Sequence, residues 1–207
     1  HKFTCDHQDT RWMDYGKDHY ATVTFDNAPD GRRIALAWMS NWQYANQTPT
    51  KQFRSANSVP RDLDLFEYNG EIYCGVTPSR ELNAIRGKAV SKLSPTCEVV
   101  VDVKGSSELV FSNSQGEQVV MLYDAEKKTF SMDRTRSYAS FSEAFPAVTT
   151  APTYGEIKQL RIFVDNCSME VFDAEGKMAM TNLVFPNEPY NTLKVKGGKA
   201  TIYEIKK

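Results

Sequence analysis

Between Tyr20 and Ile205 the apolar residues recur in short alternating runs broken by Gly, Pro, Asn and Asp, and almost nowhere at the three-to-four-residue spacing of a helix. Alternation puts successive side chains on opposite faces of an extended chain, so such runs bury a face only by pairing into sheets that pack on one another. An all-β fold is the expectation. Residues 20–25 read as a strand, 27–31 as its turn and 33–39 as the returning strand; residues 62–68 and 71–76 flank Asn69-Gly70, a favoured type I′ hairpin turn. Residues 78–85 form the one stretch that reads as a short helix, with Pro78 at its start and Gly87 just past its end. Further strands are expected over 98–103, 108–112, 118–124, 129–134, 159–165, 168–172, 178–184, 193–195 and 200–205, and a β-sandwich is the natural closed solution for them. Its core is expected from Val101, Val103, Val120, Leu122, Leu160, Ile162, Val164, Val171, Val184 and Ile202.

Charge and composition narrow the function. A net charge of −1 gives no broad attraction to nucleic acid or anionic membrane, and no stretch approaches the roughly 18 to 20 apolar residues of a membrane span. No signal peptide is read at the start; the address of a secreted parent would lie upstream. Cys5, Cys74, Cys97 and Cys167 form no C-x-x-C pair, so neither a zinc site nor a redox motif is indicated; they can pair as disulfides or serve as small buried hydrophobes. His1, His7 and His19 are too scattered for a metal site.

All three tryptophans fall early, within W-M-D-Y-G-K-D-H-Y-A (12–21) and A-W-M-S-N-W-Q-Y-A (37–45), followed by P-T-K-Q-F-R-S-A and V-P-R-D-L. Aromatic faces among Asp14, Asp18, Asn41, Gln43 and Arg54 are the mixture that grips a sugar: rings pack on apolar C–H faces, while carboxylates, amides and guanidinium groups satisfy hydroxyls. This joint pattern resembles the closing segment of the catalytic domain of glycoside hydrolase family 32, the fructan hydrolases that include levanases, exo-inulinases and invertases. The resemblance continues through F-S-E-A-F (141–145), L-R-I-F-V-D-N-C-S-M-E-V-F (160–172) and L-V-F-P (183–186), which resemble the family's C-terminal β-sandwich. It implies last strands of a five-bladed β-propeller over 1–65, with the 20–25 and 33–39 hairpin resembling the inner strands of a blade, and a β-sandwich over 66–207.

The same resemblance implies retaining hydrolysis of levan, inulin or sucrose without a cofactor. That chemistry needs a nucleophile in W-M-N-D-P-N-G, a stabilising aspartate in R-D-P and an acid/base glutamate in E-C-P, because one carboxyl attacks the anomeric carbon while the other protonates the leaving oxygen. None of these motifs is present. Trp12-Met13-Asp14 and Arg61-Asp62 imitate two of them without the following residues, and Cys97-Glu98 reverses the third. The chain, which opens His1-Lys2-Phe3, therefore reads as a C-terminal piece without catalytic residues, inactive alone.

For sites, Trp42 matches the aromatic of the family's N-W-x-Y and is implied to wall the fructosyl pocket beside Asn41; the competing reading is a blade-edge ring that only packs. Asp18 is implied to be a buried carboxylate under the pocket, satisfied by backbone amides or by an arginine from the missing part, or else a turn cap. Trp38 supports the pocket, and Arg54, in F-R-S-A where the family has W-R-x-A, ties the blade to its neighbours. His19 stands where the family usually has Phe. Asp165, Glu170 and Asp173 read as a solvated strand face. Expected partners are the substrate and the missing blades, with a second copy as a further candidate, in a secreted, periplasmic or cell-surface parent. A self-sufficient carbohydrate-binding sandwich would need exposed aromatics among Tyr123, Phe130, Tyr138, Phe141, Tyr154, Phe163, Phe172 and Tyr203, and an interaction domain would need uncovered apolar surface beside residues 1–60. The glycosylation patterns Asn46-Gln47-Thr48 and Asn166-Cys167-Ser168 have meaning only in a eukaryotic secreted chain.

Overall fold

A computed structural model describes residues 2, 4, 7–138 and 141–206. Its first sheet contains β1 (Tyr20–Thr24), β2 (Arg33–Met39), β3 (Ala56–Asn57), β4 (Arg61–Tyr68) and β5 (Glu71–Pro78), in the order β1-β2-β4-β5 with β3 also on β2, all antiparallel. The turn between β4 and β5 has Asn69 at φ 53° and Gly70 at φ 80°, the left-handed backbone that an Asn-Gly hairpin turn requires. Because β4 pairs with β2, this hairpin belongs to the first sheet. The expected helix after it is a single 3-10 segment, Arg80–Ala84, which tucks Leu82 inward.

The second sheet begins with β6 (Arg86–Val90) and runs through β7 (Cys97–Ser112), β8 (Gln118–Asp124), β9 (Thr129–Arg136), β10 (Val148–Pro152), β11 (Gln159–Asp165), β12 (Ser168–Asp173), β13 (Ala179–Leu183) and β14 (Thr192–Ile205). Two pairs of expected strands are continuous here: β7 and β14 are each one long strand, paired from Ser112↔Thr192 to Cys97↔Glu204. The first half of β7 pairs with β11 and the second with β8, so the long strands pass from one layer to the other and fold the sheet into a sandwich. The bend falls at Gly105 (φ 66°) and at a register shift between Lys196 and Gly198; a Cβ on Gly197 (φ 71°) would lie 2.1 Å from the Ser106 carbonyl oxygen.

The two layers share one core in which Val99, Val101, Leu160, Ile162 and Val171 meet Leu109, Phe111, Met121 and Met132. On β8 the inward residues are Val119, Met121 and Tyr123, whereas Val120 is half-buried and Leu122 is 44% exposed. The expected register of this strand is thus corrected by one residue. Val119-Val120-Met121-Leu122 is apolar on both faces, so alternation carries no information there; the pairs Met121↔Met132 and Tyr123↔Phe130 with β9 decide it.

The first sheet packs on the outer face of the β11-β12-β13 layer. Val76 and Leu82 meet Phe163, Phe172 and Ala179, while Met39 and Tyr44 meet Phe145, Leu183 and Phe185. Glu170, expected on a solvated face, is buried because the first sheet covers that face; Asp173, opposite Leu160 at the end of β12, is buried while accepting from Glu175 N–H, and Asp165 at the end of β11 is exposed. Cys74, Cys97 and Cys167 are free thiols, and Cys97 is buried as a small apolar side chain. Cys5 and His1 lie outside the described residues. Among the described residues no three His, Cys, Asp or Glu side chains gather as a metal site would require, and no helix is long and apolar enough to cross a membrane.

Candidate functional site

Strand alternation along β2 turns Ala35, Ala37 and Met39 into the interior and Trp38 to the other face. Past Met39 the chain turns, and Tyr44 N–H closes on the Asn41 carbonyl at 3.1 Å. Trp42 at this turn is 70% exposed, with its ring 4.9 Å from that of Trp38 at 51°; the Tyr20 ring meets that of Trp38 edge-on at 6.1 Å. Asn41 donates from Nδ2 to the Lys17 carbonyl (2.8 Å) and accepts from Gln43 N–H (3.0 Å), which fixes the turn that carries Trp42. Asn41 also borders an open cleft of about 370 Å³ with Trp12, Tyr15, Lys17, His19 and Thr150.

Beneath this turn, D-x-G-x-D anchors the chain to the sandwich. Residues 15–18 run along β13, with Tyr15 N–H on the Ala179 carbonyl (2.9 Å) and Asp18 N–H on that of Thr181 (3.2 Å). Contact is so close that any Cβ on Gly16 would fall 1.8 Å from the Thr181 oxygen, which explains glycine at the centre of the motif. Asp14 is the carboxylate that caps its own turn, through Gly16 N–H at 2.7 Å. Asp18 has a different role: it is fully buried and accepts from Leu183 N–H (2.8 Å), Arg134 Nη1 (2.5 Å) and the Tyr44 hydroxyl. Its arginine comes from β9 of this same chain. Burial, with the Asp18 carboxylate beside it, pushes the Tyr44 phenol far above its ordinary range, so it stays a donor.

A second buried arginine, Arg61 on β4, lies between Asp14 (2.6 Å) and Glu170 (2.6 Å), with a further bond to the Thr181 hydroxyl. Burial pushes both acids upward; the Arg61 charge overcomes this at Asp14, which is lowered, but not at Glu170, which stays raised. Burial together with the same guanidinium lowers His19 to about 4, so its ring is neutral at pH 7. Arg54 is exposed and donates to the hydroxyl of Thr48 at 3.1 Å and to its carbonyl; its partners belong to its own loop.

The structure therefore brings Trp38, Trp42, Asn41 and Asp18 together and leaves Arg54 on a neighbouring loop. Alternation alone misses Arg61, Arg134, Tyr44 and Glu170. The available signal was parity: Arg61 shares a face with Leu63, and Arg134 shares one with Phe130 and Met132, so each arginine points inward on its strand. Asp14 and Glu170 are a close carboxylate pair beneath this turn, and both are sealed from solvent and engaged by Arg61; Asp62 and Glu81, nearer the surface, share Arg32 in the same way. Neither Asp14 nor Glu170 can reach a sugar. Of the aromatics considered for a sandwich sugar site, Tyr123, Phe130, Phe163 and Phe172 are buried. Several uncovered apolar residues lie instead on or beside the first sheet, Tyr20, Val23, Phe25, Leu65 and Ile72, while Leu122 and Val148 are exposed on the second.

Residues 69–206 match the family model for the C terminal of glycosyl hydrolases family 32, and residues 1–74 match that for its N-terminal domain. Similar curated proteins include a levanase of Bacillus subtilis (strain 168), 34% identical over 95% of this chain and 34% of its own length. An extracellular exo-inulinase of Aspergillus niger is 29% identical over 92% of this chain and 41% of its own length. Among solved structures, an exo-inulinase from Aspergillus awamori superposes with a TM-score of 0.81 at 24% identity, covering 94% of this chain and 44% of the other. A β-fructofuranosidase from Schwanniomyces occidentalis complexed with fructosyl-erythritol gives 0.76 at 22%, covering 100% and 51%. The fold is thus that of propeller strands followed by a β-sandwich, and the chain spans about a third to a half of the length of these proteins.

Proposed function

Since the chain belongs to glycoside hydrolase family 32, we propose that it is the part of a fructan-hydrolysing enzyme that supplies one wall of the fructosyl site and the sandwich behind it. The observation that carries this reading is the exposed Trp42 ring against that of Trp38, on a turn fixed by Asn41, above the carboxylates Asp14 and Asp18, which are buried and engaged by arginines. Such a surface can bind a sugar ring but has no group to attack or protonate it. The nucleophile and acid/base belong to propeller blades outside this sequence. These blades cover the apolar face around Tyr20, Val23 and Leu65; a second copy of the chain is the other candidate to cover it. The whole enzyme would release fructose from levan, inulin or sucrose with retention and without a cofactor, as an exo-acting, polymer-degrading and secreted hydrolase.

Trp42→Ala in the whole enzyme tests the site. Loss of a ring-packing contact of a few kcal/mol should lower kcat/KM by about one to three powers of ten. Unchanged kinetics in a folded variant would assign Trp42 to packing.

A further inference from the structure

We propose that Arg134, a sandwich residue placed away from the sugar, is a positioning residue that holds Trp42 in its sugar-facing orientation through Tyr44 and Asp18. The inference rests on the reading of Trp42 as a wall of the fructosyl site. With 70% of its surface exposed, the Trp42 ring depends for its direction on the turn beneath it more than on packing. That turn has two anchors. Asn41 is tied to the carbonyl of Lys17, and Lys17 N–H is bound to the Asn182 side chain of β13 at 3.0 Å. Tyr44, the other anchor, enters the interior with its ring against Phe141 (6.1 Å) and Phe145 (5.5 Å).

The Tyr44 hydroxyl donates to Asp18 and accepts from Arg134 Nη2 at 2.8 Å. Arg134 itself is held by several contacts. It is 1% exposed, its Nη1 also reaches the Leu183 carbonyl (2.8 Å), its Nε reaches the Phe145 carbonyl (3.0 Å), and its guanidinium lies 4.1 Å from the Phe145 ring centroid. A planar fork with donors pointing at Asp18, Tyr44 and two carbonyls fixes their mutual positions, which a lysine cannot reproduce. Rigid anchoring matters because a wall displaced by about 1 Å can cost on the order of a hundredfold in rate. The sandwich thereby takes part in substrate binding without contacting substrate.

Two measurements test this. In the chain labelled with 5-fluorotryptophan, the Trp42 ¹⁹F signal is assigned with Trp42→Phe and followed in Tyr44→Phe and Arg134→Lys. Both variants should shift or broaden it while the Trp12 signal stays in place; if Arg134→Lys does not fold, Tyr44→Phe decides. An unmoved Trp42 signal in a folded variant overturns the proposal. In the whole enzyme, Tyr44→Phe should lower kcat/KM about tenfold, yet less than about twofold in a Trp42→Ala background, because the two act through one contact. Additive losses also overturn it. Should Trp42→Ala alone have no effect, the fructosyl-site reading fails, and the ¹⁹F result still decides whether Arg134 positions the ring.

Discussion

Replacement of Arg61 by Met probes the junction between the two sheets. Arg61 is fully buried, between Asp14 and Glu170, whose side chains are 1% and 4% exposed, and its guanidinium lies 4.8 Å from the Phe172 ring centroid. Met keeps most of the stem's volume, so the principal loss is the charge. Removal of one partner from a buried ion pair costs about 3–5 kcal/mol, because the remaining charge is left without compensation. Protonation limits the penalty. Neutralising Glu170 at pH 7 from an ordinary value of 4.5 costs about 3.4 kcal/mol, at 1.36 kcal/mol for each pH unit. Asp14 still has Gly16 N–H, Thr181 N–H and the Thr181 hydroxyl as donors and can stay ionised. The expected cost is therefore about 3–5 kcal/mol at pH 7. It carries a pH signature: Glu170 in the variant has a folded pKa above its unfolded value, so stability is present at low pH and lost as pH rises. The cost should shrink by about 1 kcal/mol per unit between pH 7 and 5. Equilibrium urea unfolding of both proteins at those two values measures it. Adding Asp14→Asn and Glu170→Gln should recover most of the loss. A cost below about 1 kcal/mol at pH 7, or no change with pH, would refute the reasoning.

Two further outcomes follow from the same interface. His19 titrates near 6.5 when unfolded and near 4 when folded, so its contribution is present above pH 6.5 and lost as pH falls through 4; His19→Phe should gain on the wild type by about 1–2 kcal/mol between pH 7.5 and 5 in urea unfolding, and a constant difference would contradict the assignment. Truncation to residues 66–207 removes Asp14, Asp18 and Arg61 and leaves Glu170 and Arg134 without their charged partners, so its circular dichroism melt should be much less cooperative and its midpoint far below that of the chain; an equal midpoint would show an autonomous sandwich.

Much of the fold is legible in the sequence because short-range rules decide it. The bounds of β2 and the Asn69-Gly70 hairpin follow from alternation and turn chemistry. The continuity of β7 and β14 does not: the breaks expected at 104–107 and 196–199 hold Gly105 and Gly197-Gly198, which act as bends that carry a strand between layers. Glu170 looks like a solvent-facing acid until a second sheet covers it, a long-range event that no local pattern encodes. In the site, Trp42, Asn41 and Asp18 are visible through their motifs, whereas the partner of Asp18 lies 116 residues away on β9. Asp18 was expected to be satisfied by backbone amides or by an arginine from the missing part; it has the Leu183 amide and an arginine from this chain's own sandwich.

The most direct test of the division of labour is fructose release from levan, inulin and sucrose, measured for the purified chain and for the same chain within its whole enzyme. Release is expected from the whole enzyme and none above a blank from the chain, in which Asp14 and Glu170 are buried around Arg61. Fructose released by the chain alone would place catalytic groups within these residues and contradict it.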